Sequence, residues 1–299
     1  MADKQAPSFY RYKVGDVQVT VISDGVNTFP LGDSFVLNAK KDEVAAALEK
    51  AYMPKDKVSI QFGPLVINSG GKLIVLDTGN GPGAFASSKG AVGQFATNMA
   101  AAGFDPKTVD MVVISHFHGD HINGLLNAEG TLAFANAEVL VPSVEWKYFM
   151  DDGEMAKQTG ERMPGVFKNA RRVFEAGLQK KVTPYEWGKE VVSRPACGRD
   201  RRPHAGPHLL RVCRRARARC SSSPTSPTFP TCLRPIPAGM PSSTRTRRMA
   251  ENARRKTYDM VVAEKLQVQG FHYPFPGLGN VEKDGNGYRV IPAPWNPVI

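Results

Sequence analysis

The sequence predicts a single-domain α/β fold, and three observations support this prediction. The chain has 299 residues with 41% hydrophobic content, which is enough to bury one large core. In its first half, the apolar runs 58–69 and 72–78 flank Gly70 and Gly71, as the strands of a hairpin flank its turn. Farther along the chain, strand patterns alternate with helical patterns. Paired strands followed by this alternation predict mixed β-sheets packed against helices.

Each predicted element has a local signal. Runs rich in β-branched and other apolar residues predict strands at 17–23, 58–69, 72–78, 111–114 and 138–141. Two helices are predicted, over 92–102 before Gly103 and over 165–176 before Gly177, because glycine commonly ends a helix. Ser143 is the predicted N-cap of a short helix that follows the strand at 138–141.

The most informative chemical feature is the run Ser-His-Phe-His-Gly-Asp-His at 115–121, which holds three of the six histidines. On a loop that leaves the preceding strand, His116 and His118 can converge, and Gly119 permits a tight turn. Asp120 and His121 are then able to serve two different ions. Imidazole and carboxylate groups are ligands that zinc accepts, so the run predicts a binuclear metal site. The alternative is a set of surface histidines beside an acid.

The motif HxHxDH at the end of a strand resembles the signature of the metallo-β-lactamase-fold hydrolases. The segment 72–79 is similar to the family's strand that carries an aspartate toward a metal-bound histidine, here Asp77, although Asp77 could instead cap a turn before Gly79. The resemblance implies an αββα sandwich of two mixed β-sheets between helices. We expect residues 1–299 to form one such domain, interrupted at about 194–248.

Two C-terminal segments extend the resemblance. The segment 270–279, which contains His272, is similar to the one that delivers the family's last metal histidine, although an ordinary loop histidine among aromatic residues is the alternative. With the ending 287–292, the chain looks closest to the methyl parathion hydrolase and lactonase-like branch. The aromatic neighbours Phe271, Tyr273 and Phe275 either line an apolar pocket for an ester or belong to the core.

The resemblance implies metal-assisted hydrolysis with two divalent metal ions, expected to be Zn²⁺. One ion would be held by His116, His118 and an undetermined third histidine, and the other by Asp120, His121 and His272. Asp120 would also orient the attacking hydroxide, which makes it the expected catalytic residue. Expected substrates are small esters, lactones or organophosphate triesters, since the fold hosts many hydrolytic reactions.

The segment 194–248 departs from the rest of the chain. It contains 13 arginines, one acidic residue and all four cysteines, and without it the formal charge of +11 would be −1. An arginine-rich stretch is typical of nucleic-acid contacts or of a disordered basic insertion. The cysteines lack a CxxC pair, so they predict neither a zinc module nor a disulfide framework.

A shifted reading frame is a third interpretation of this segment, and the one that we favour. Read one nucleotide later, residues 198–210 permit a GHTPGHT sequence, which resembles the segment that supplies the family's next metal histidine. Read two nucleotides later, residues 221–246 permit a balanced sequence with an aspartate suited to bridging two metals. In the frame as written, His204 and His208 lie near the expected histidine, and no acid occurs between Asp200 and Glu251.

Other functional expectations concern location and partners. The N-terminal residues lack a secretory pattern and no run is apolar enough to span a membrane, so a cytoplasmic enzyme is expected. The family resemblance suggests a homodimer. Nucleic-acid binding is disfavoured but remains an alternative through the arginine-rich segment, and a catalytically impaired metal-binding remnant is another.

Overall fold

The structure is a computed structural model, and it describes most of the chain outside the arginine-rich segment. The described residues are 5–33, 35–36, 39–187, 189, 191, 210–213, 219–223 and 244–299, with only the backbone described over 210–250. The predicted interruption at 194–248 therefore lies largely outside the described residues. No helix in the described ranges is both long and apolar enough to cross a membrane.

Fourteen strands and eight α-helices make up the described part of the chain. The strands are β1 (Phe9–Val14), β2 (Val17–Ile22), β3 (Gly25–Pro30), β4 (Lys57–Phe62), β5 (Leu65–Ser69), β6 (Lys72–Leu76), β7 (Met111–Val113), β8 (Glu138–Pro142), β9 (Val182–Tyr185), β10 (Leu210–Cys213), β11 (Arg219–Ser223), β12 (Gln267–Gly270), β13 (Leu278–Asp284) and β14 (Gly287–Pro292). The helices are α1 (Lys41–Lys50), α2 (Gly81–Ser87), α3 (Phe95–Ala101), α4 (Gly119–Ile122), α5 (Ser143–Phe149), α6 (Asp152–Ala156), α7 (Arg162–Glu175) and α8 (Thr244–Ala263).

Two mixed sheets dominate the architecture. The first has the order β1-β2-β5-β6-β7-β8-β9, with antiparallel pairing from β1 to β6 and parallel pairing from β6 to β9. The second has the order β10-β11-β12-β13-β14 and contains one parallel pair, β11 with β12. Strands β3 and β4 form a separate two-stranded sheet.

The first sheet is covered on both faces, as the side-chain alternation along its strands requires. Val75 and Val112 point into a core shared with helices α3, α5 and α7. Their neighbours Leu76 and Val113 point the other way, into a core that Leu278 of the second sheet joins. Helix α8 packs on the outer face of the second sheet through residues that include Tyr258 and Val261. The layers are helix, sheet, sheet and helix, which confirms the predicted αββα sandwich.

Two local predictions were wrong. The predicted strand 58–69 is divided at Gly63 and Pro64 into β4 and β5, which belong to different sheets, because Pro64 lacks the N–H that a continuous ladder needs. Ser143 begins α5 but does not cap it. Its hydroxyl donates a hydrogen bond to Glu186 Oε1 at 2.7 Å instead.

Candidate metal site

The predicted ligands lie where the parallel strands of the first sheet end. Strand β7 stops at Val113, and the chain passes through His116 and His118 on a loop before α4 brings in Asp120 and His121. Strands β6 and β8 flank β7, so Asp77 and helix α5 follow at the same edge. Carboxyl ends of parallel strands form a crevice outside the sheet, which is the common place for ligand sites in α/β proteins.

Side chains hold the loop between β7 and α4 after its backbone leaves the sheet. The Ser115 N–H donates to Asp77 Oδ1 at 2.8 Å, and the Phe117 N–H donates to Glu145 Oε2 at 3.0 Å. The Tyr185 hydroxyl donates to the carbonyl of Ile114 at 3.0 Å. Because buried amides must find partners, these contacts fix the path of the loop.

His116 and His118 converge as the sequence predicts. The Nε2 atom of His116 lies 3.0 Å from the Nδ1 atom of His118. Phe117 lies between these histidines in sequence, and its ring is fully buried among Phe149, Phe174 and other aromatic side chains. The alternation of side chains along extended backbone therefore sends both histidines to the side opposite Phe117.

A second group brings together Asp120, His121 and His272. One ligand atom from each lies within 4.8 Å of the other two, and Asp120 Oδ2 is 3.3 Å from His121 Nε2 and 3.5 Å from His272 Nε2. The rings of His116 and His121 have centroids 3.9 Å apart, so the two groups adjoin. The structure thus gathers all five predicted ligands, which come from segments more than 150 residues apart in sequence.

Hydrogen bonds orient the rings of His121 and His272. His121 Nδ1 donates to Asp77 Oδ2 at 2.8 Å, and His272 Nδ1 donates to the Gln61 carbonyl at 2.9 Å. Since both partners only accept, Nδ1 carries a hydrogen in each ring, and Nε2 of each ring faces Asp120. Asp77 adopts φ +57°, a left-handed conformation that aspartate tolerates better than most residues. The predicted contact of Asp77 with a histidine of the motif is confirmed.

Burial and charge set the protonation of these groups. Burial works to raise the pKa of Asp120, but His121, with help from His272 and His118, holds it well below the usual range. Burial also works to lower the pKa of His121, yet Asp120 and Asp77 raise it to about 10. Desolvation lowers the pKa of His118 to about 4, so its imidazole is neutral at pH 7, which is the form that binds metals.

The donor set fits a divalent metal. Four imidazoles and a carboxylate are the nitrogen and oxygen ligands of zinc sites. Moreover, Nε2 of His121 is fully buried and lies 3.3 Å from Asp120 Oδ2 outside hydrogen-bonding geometry, so a cation bound by both atoms would satisfy them.

The aromatic residues near His272 have three different environments. Phe271 is buried and stacks on His121 with ring centroids 4.1 Å apart. Tyr273 belongs to the core, where its hydroxyl contacts that of Tyr258. Of the three, Phe275 has 40% of its surface exposed and is available to line a pocket, whereas the core alternative holds for Tyr273.

Sequence reasoning missed several residues that hold the site, among them Glu145 and Gln61. Glu145 lies on α5, just after a strand that ends beside β7, and strand order could have pointed to it. Gln61 contacts His272 through its backbone carbonyl, for which the sequence carries no signal. His204 and His208, the candidates for a third histidine, lie outside the described residues.

Comparisons with known proteins bear on the family and the fold. The family model described as the Metallo-beta-lactamase superfamily matches residues 65–203. A search of curated proteins found no match.

Three solved structures share the fold. AidC, a dizinc quorum-quenching lactonase in complex with a product, is 20% identical, with 96% of this chain and 98% of that chain covered and a TM-score of 0.78. The hydrolase AbOPH of the beta lactamase superfamily is 20% identical, with coverages of 98% and 100% and a TM-score of 0.76. A probable metal-dependent hydrolase from Staphylococcus aureus is 16% identical, with coverages of 95% and 100% and a TM-score of 0.66. The chain therefore has the α/β metallo-beta-lactamase fold, and its residues 65–203 match the model of the Metallo-beta-lactamase superfamily.

Proposed function

We propose that this protein is a binuclear, zinc-dependent hydrolase of small ester-type substrates, with lactones as the first candidates and organophosphate triesters as the second. The observation that carries the proposal is the convergence of five nitrogen and oxygen ligands at one edge of the sheet, with the buried Nε2 of His121 aimed at Asp120. Packing alone does not explain such a cluster, because apolar side chains would fill the same space at a lower cost in free energy.

The five ligands divide into two sets. His116 and His118 would hold one ion with a third ligand, and Asp120, His121 and His272 would hold the other. When bound, two divalent cations supply Lewis acidity, which brings the pKa of water to about 7 and stabilises negative charge on a carbonyl or phosphoryl oxygen.

The residues of the chain then bind, orient and exclude water. The low pKa of Asp120 keeps its carboxylate ionised. The carboxylate is therefore able to accept a hydrogen bond from a water molecule and to direct the lone pair of the water oxygen at the substrate. Asp77 holds the ring of His121, and the Gln61 carbonyl holds that of His272. Phe271, stacked on His121, keeps water from that side of the ring.

The preference for lactones rests on two supports. A dizinc lactonase has the same fold over almost the whole chain, and the exposed ring of Phe275, three residues after His272, offers an apolar contact to an acyl or aryl group. Neutral esters also suit a site whose charged groups are directed at metal ions.

A catalytically impaired metal-binding protein is the second candidate. The segment between Asp200 and Glu251 has no acidic residue, so the sequence as written has no evident carboxylate there to bridge two ions. Sequencing the coding DNA across residues 190–252 separates the candidates. Compensating insertions or deletions would favour the hydrolase, and an unaltered frame would favour the impaired protein.

The proposed function is tested with the full chain carrying His116→Ala or Asp120→Ala. Each variant should lose bound zinc and should hydrolyse aryl esters and lactones only at the background rate. Asp152→Asn is the matched control, because Asp152 is 91% exposed and pairs only with Arg171 among the ion pairs of the described residues. Unchanged zinc content in both alanine variants would refute the ligand assignment.

A further inference from the structure

Glu145 is a buried acid that is not one of the predicted metal ligands. It lies on α5 with 7% of its surface exposed, and its neighbours on that helix, Trp146 and Phe149, pack against the ring of Phe117. Burial raises its pKa to about 7. Removing a carboxyl group from water into aromatic surroundings is costly, so its retention here calls for a compensating interaction.

That interaction is with the backbone of the metal-binding loop. Glu145 Oε2 accepts a hydrogen bond from the Phe117 N–H at 3.0 Å. This amide lies in the middle of the segment His116-Phe117-His118, beyond the last residue of β7, where no strand offers it a partner.

Phe117 is therefore held at two points. Its ring is fully buried in the aromatic cluster, and its amide is tied to Glu145. His116 and His118 flank Phe117 in sequence, and both lie on the side opposite its ring. A rotation of the Phe117 backbone would therefore turn the two histidines away from each other. The 3.0 Å approach of their ring nitrogens thus depends on the anchoring of Phe117.

We propose that Glu145 is a positioning residue that preorganises the His116–His118 half of the metal site through its hydrogen bond to the Phe117 amide. The proposal rests on the proposed metal-binding function. Glu145 binds the amide between two predicted ligands, so it adds no ligand and acts by holding the loop in the binding conformation.

Three substitutions separate the hydrogen bond from charge and from packing. Glu145→Gln keeps an acceptor oxygen at the same reach and removes the charge. Glu145→Asp keeps the charge but withdraws the carboxylate by one carbon from the amide. Glu145→Leu fills the space without an acceptor. Leu48→Ala is the stability control, because Leu48 is buried in a separate core with Leu31, Val44 and other residues.

The experiment is a Co²⁺ titration of each full-length variant, followed by visible absorption of the bound ion at a temperature where all variants are folded. Wild type and Glu145→Gln should bind with affinities within about threefold of each other. Glu145→Asp and Glu145→Leu should lose about 10–100-fold in affinity for the ion at His116 and His118, the usual effect of removing a residue that orients ligands. Leu48→Ala should bind as wild type does.

Three results would overturn the proposal while metal binding itself stands. Wild-type affinity in Glu145→Leu and Glu145→Asp would show that the contact does not position the loop, and an equal loss in Glu145→Gln would show that the acceptor is not what matters. A matching loss in Leu48→Ala would attribute the effect to stability. Absence of Co²⁺ binding by the wild type would instead refute the proposed function itself, and the positioning role with it.

Discussion

The Nδ1 atom of His121 lies 2.8 Å from Oδ2 of Asp77, and both side chains are buried. The same carboxylate accepts hydrogen bonds from the amide and the hydroxyl of Ser115, at 2.8 and 2.7 Å. One acid at the end of β6 therefore sets both the direction of the His121 ring and the path of the loop that follows β7.

Asp77→Asn should weaken metal binding without unfolding the chain. Asparagine also tolerates the left-handed backbone that Asp77 adopts, but its amide group can accept through only one atom, so either Ser115 or His121 loses its partner. We expect about a 10–100-fold loss of zinc affinity, measured by competition with a chelating dye.

The control for this prediction is Asp110→Asn. Asp110 precedes β7 and accepts from Lys72 and from the Leu73 amide, away from the predicted ligands. An Asp77→Asn variant that binds zinc as tightly as the Asp110→Asn variant would contradict the assigned role.

Asp24 should make the fold less stable as pH rises from about 4 to 6. Burial raises its pKa to about 6 from 3.8, despite hydrogen bonds from Asn80 and Phe95. Over this range the folded protein keeps a proton that the unfolded chain has lost, so the free energy of unfolding falls with rising pH, by roughly 3 kcal/mol at most.

Urea denaturation at pH 4, 5 and 6 tests this prediction. The asparagine of Asp24→Asn does not titrate, so the unfolding free energy of this variant should decline less over the range. The asparagine amide faces the Asn80 N–H, which lowers the stability of the variant at every pH. Asp110→Asn should nearly keep the wild-type slope, because the hydrogen bond from Lys72 lowers the pKa of Asp110 from 3.8, a value that already lies below the range. Equal slopes in wild type and Asp24→Asn would exclude Asp24 as the cause.

Gly124→Ala should damage the metal site through the backbone. A Cβ at Gly124 would lie 2.0 Å from the Thr78 carbonyl oxygen, and Thr78 immediately follows Asp77. We expect a loss of about 1–3 kcal/mol in the free energy of unfolding, as for other overpacked sites, together with weaker zinc binding.

Gly165→Ala is the opposite case. Gly165 lies inside α7, and a Cβ there would meet no atom within 4 Å, so alanine should stabilise the fold by about 0.5–1 kcal/mol. Thermal unfolding of both variants gives the comparison, and a stable Gly124→Ala variant that binds zinc normally would contradict the close packing of Thr78 on Gly124.

The sequence predicts the parts of this molecule that local patterns determine. Strand β8 and helix α7 coincide with an apolar run and with a helical pattern that glycine terminates, and the five predicted ligands coincide with dense or family-like motifs. The division at Pro64 was missed because the apolar run continues across it, and only pairing with different sheets separates β4 from β5.

The supporting contacts were harder to predict because they join distant segments. The bond between Glu145 and the Phe117 amide spans 28 residues, and that between His272 and the Gln61 carbonyl spans 211. Neither contact produces a periodic pattern or a motif in the sequence. Ser143 shows the same limit, since the partner of its hydroxyl, Glu186, lies on a separate segment after β9.

Anomalous diffraction at the zinc edge from crystals of the full chain measures directly where zinc binds. We expect a peak about 2.0–2.2 Å from Nε2 of His121, Nε2 of His272 and a carboxylate oxygen of Asp120, with a second peak beside His116 and His118. A chain that holds zinc only elsewhere, or none at all, would contradict this expectation.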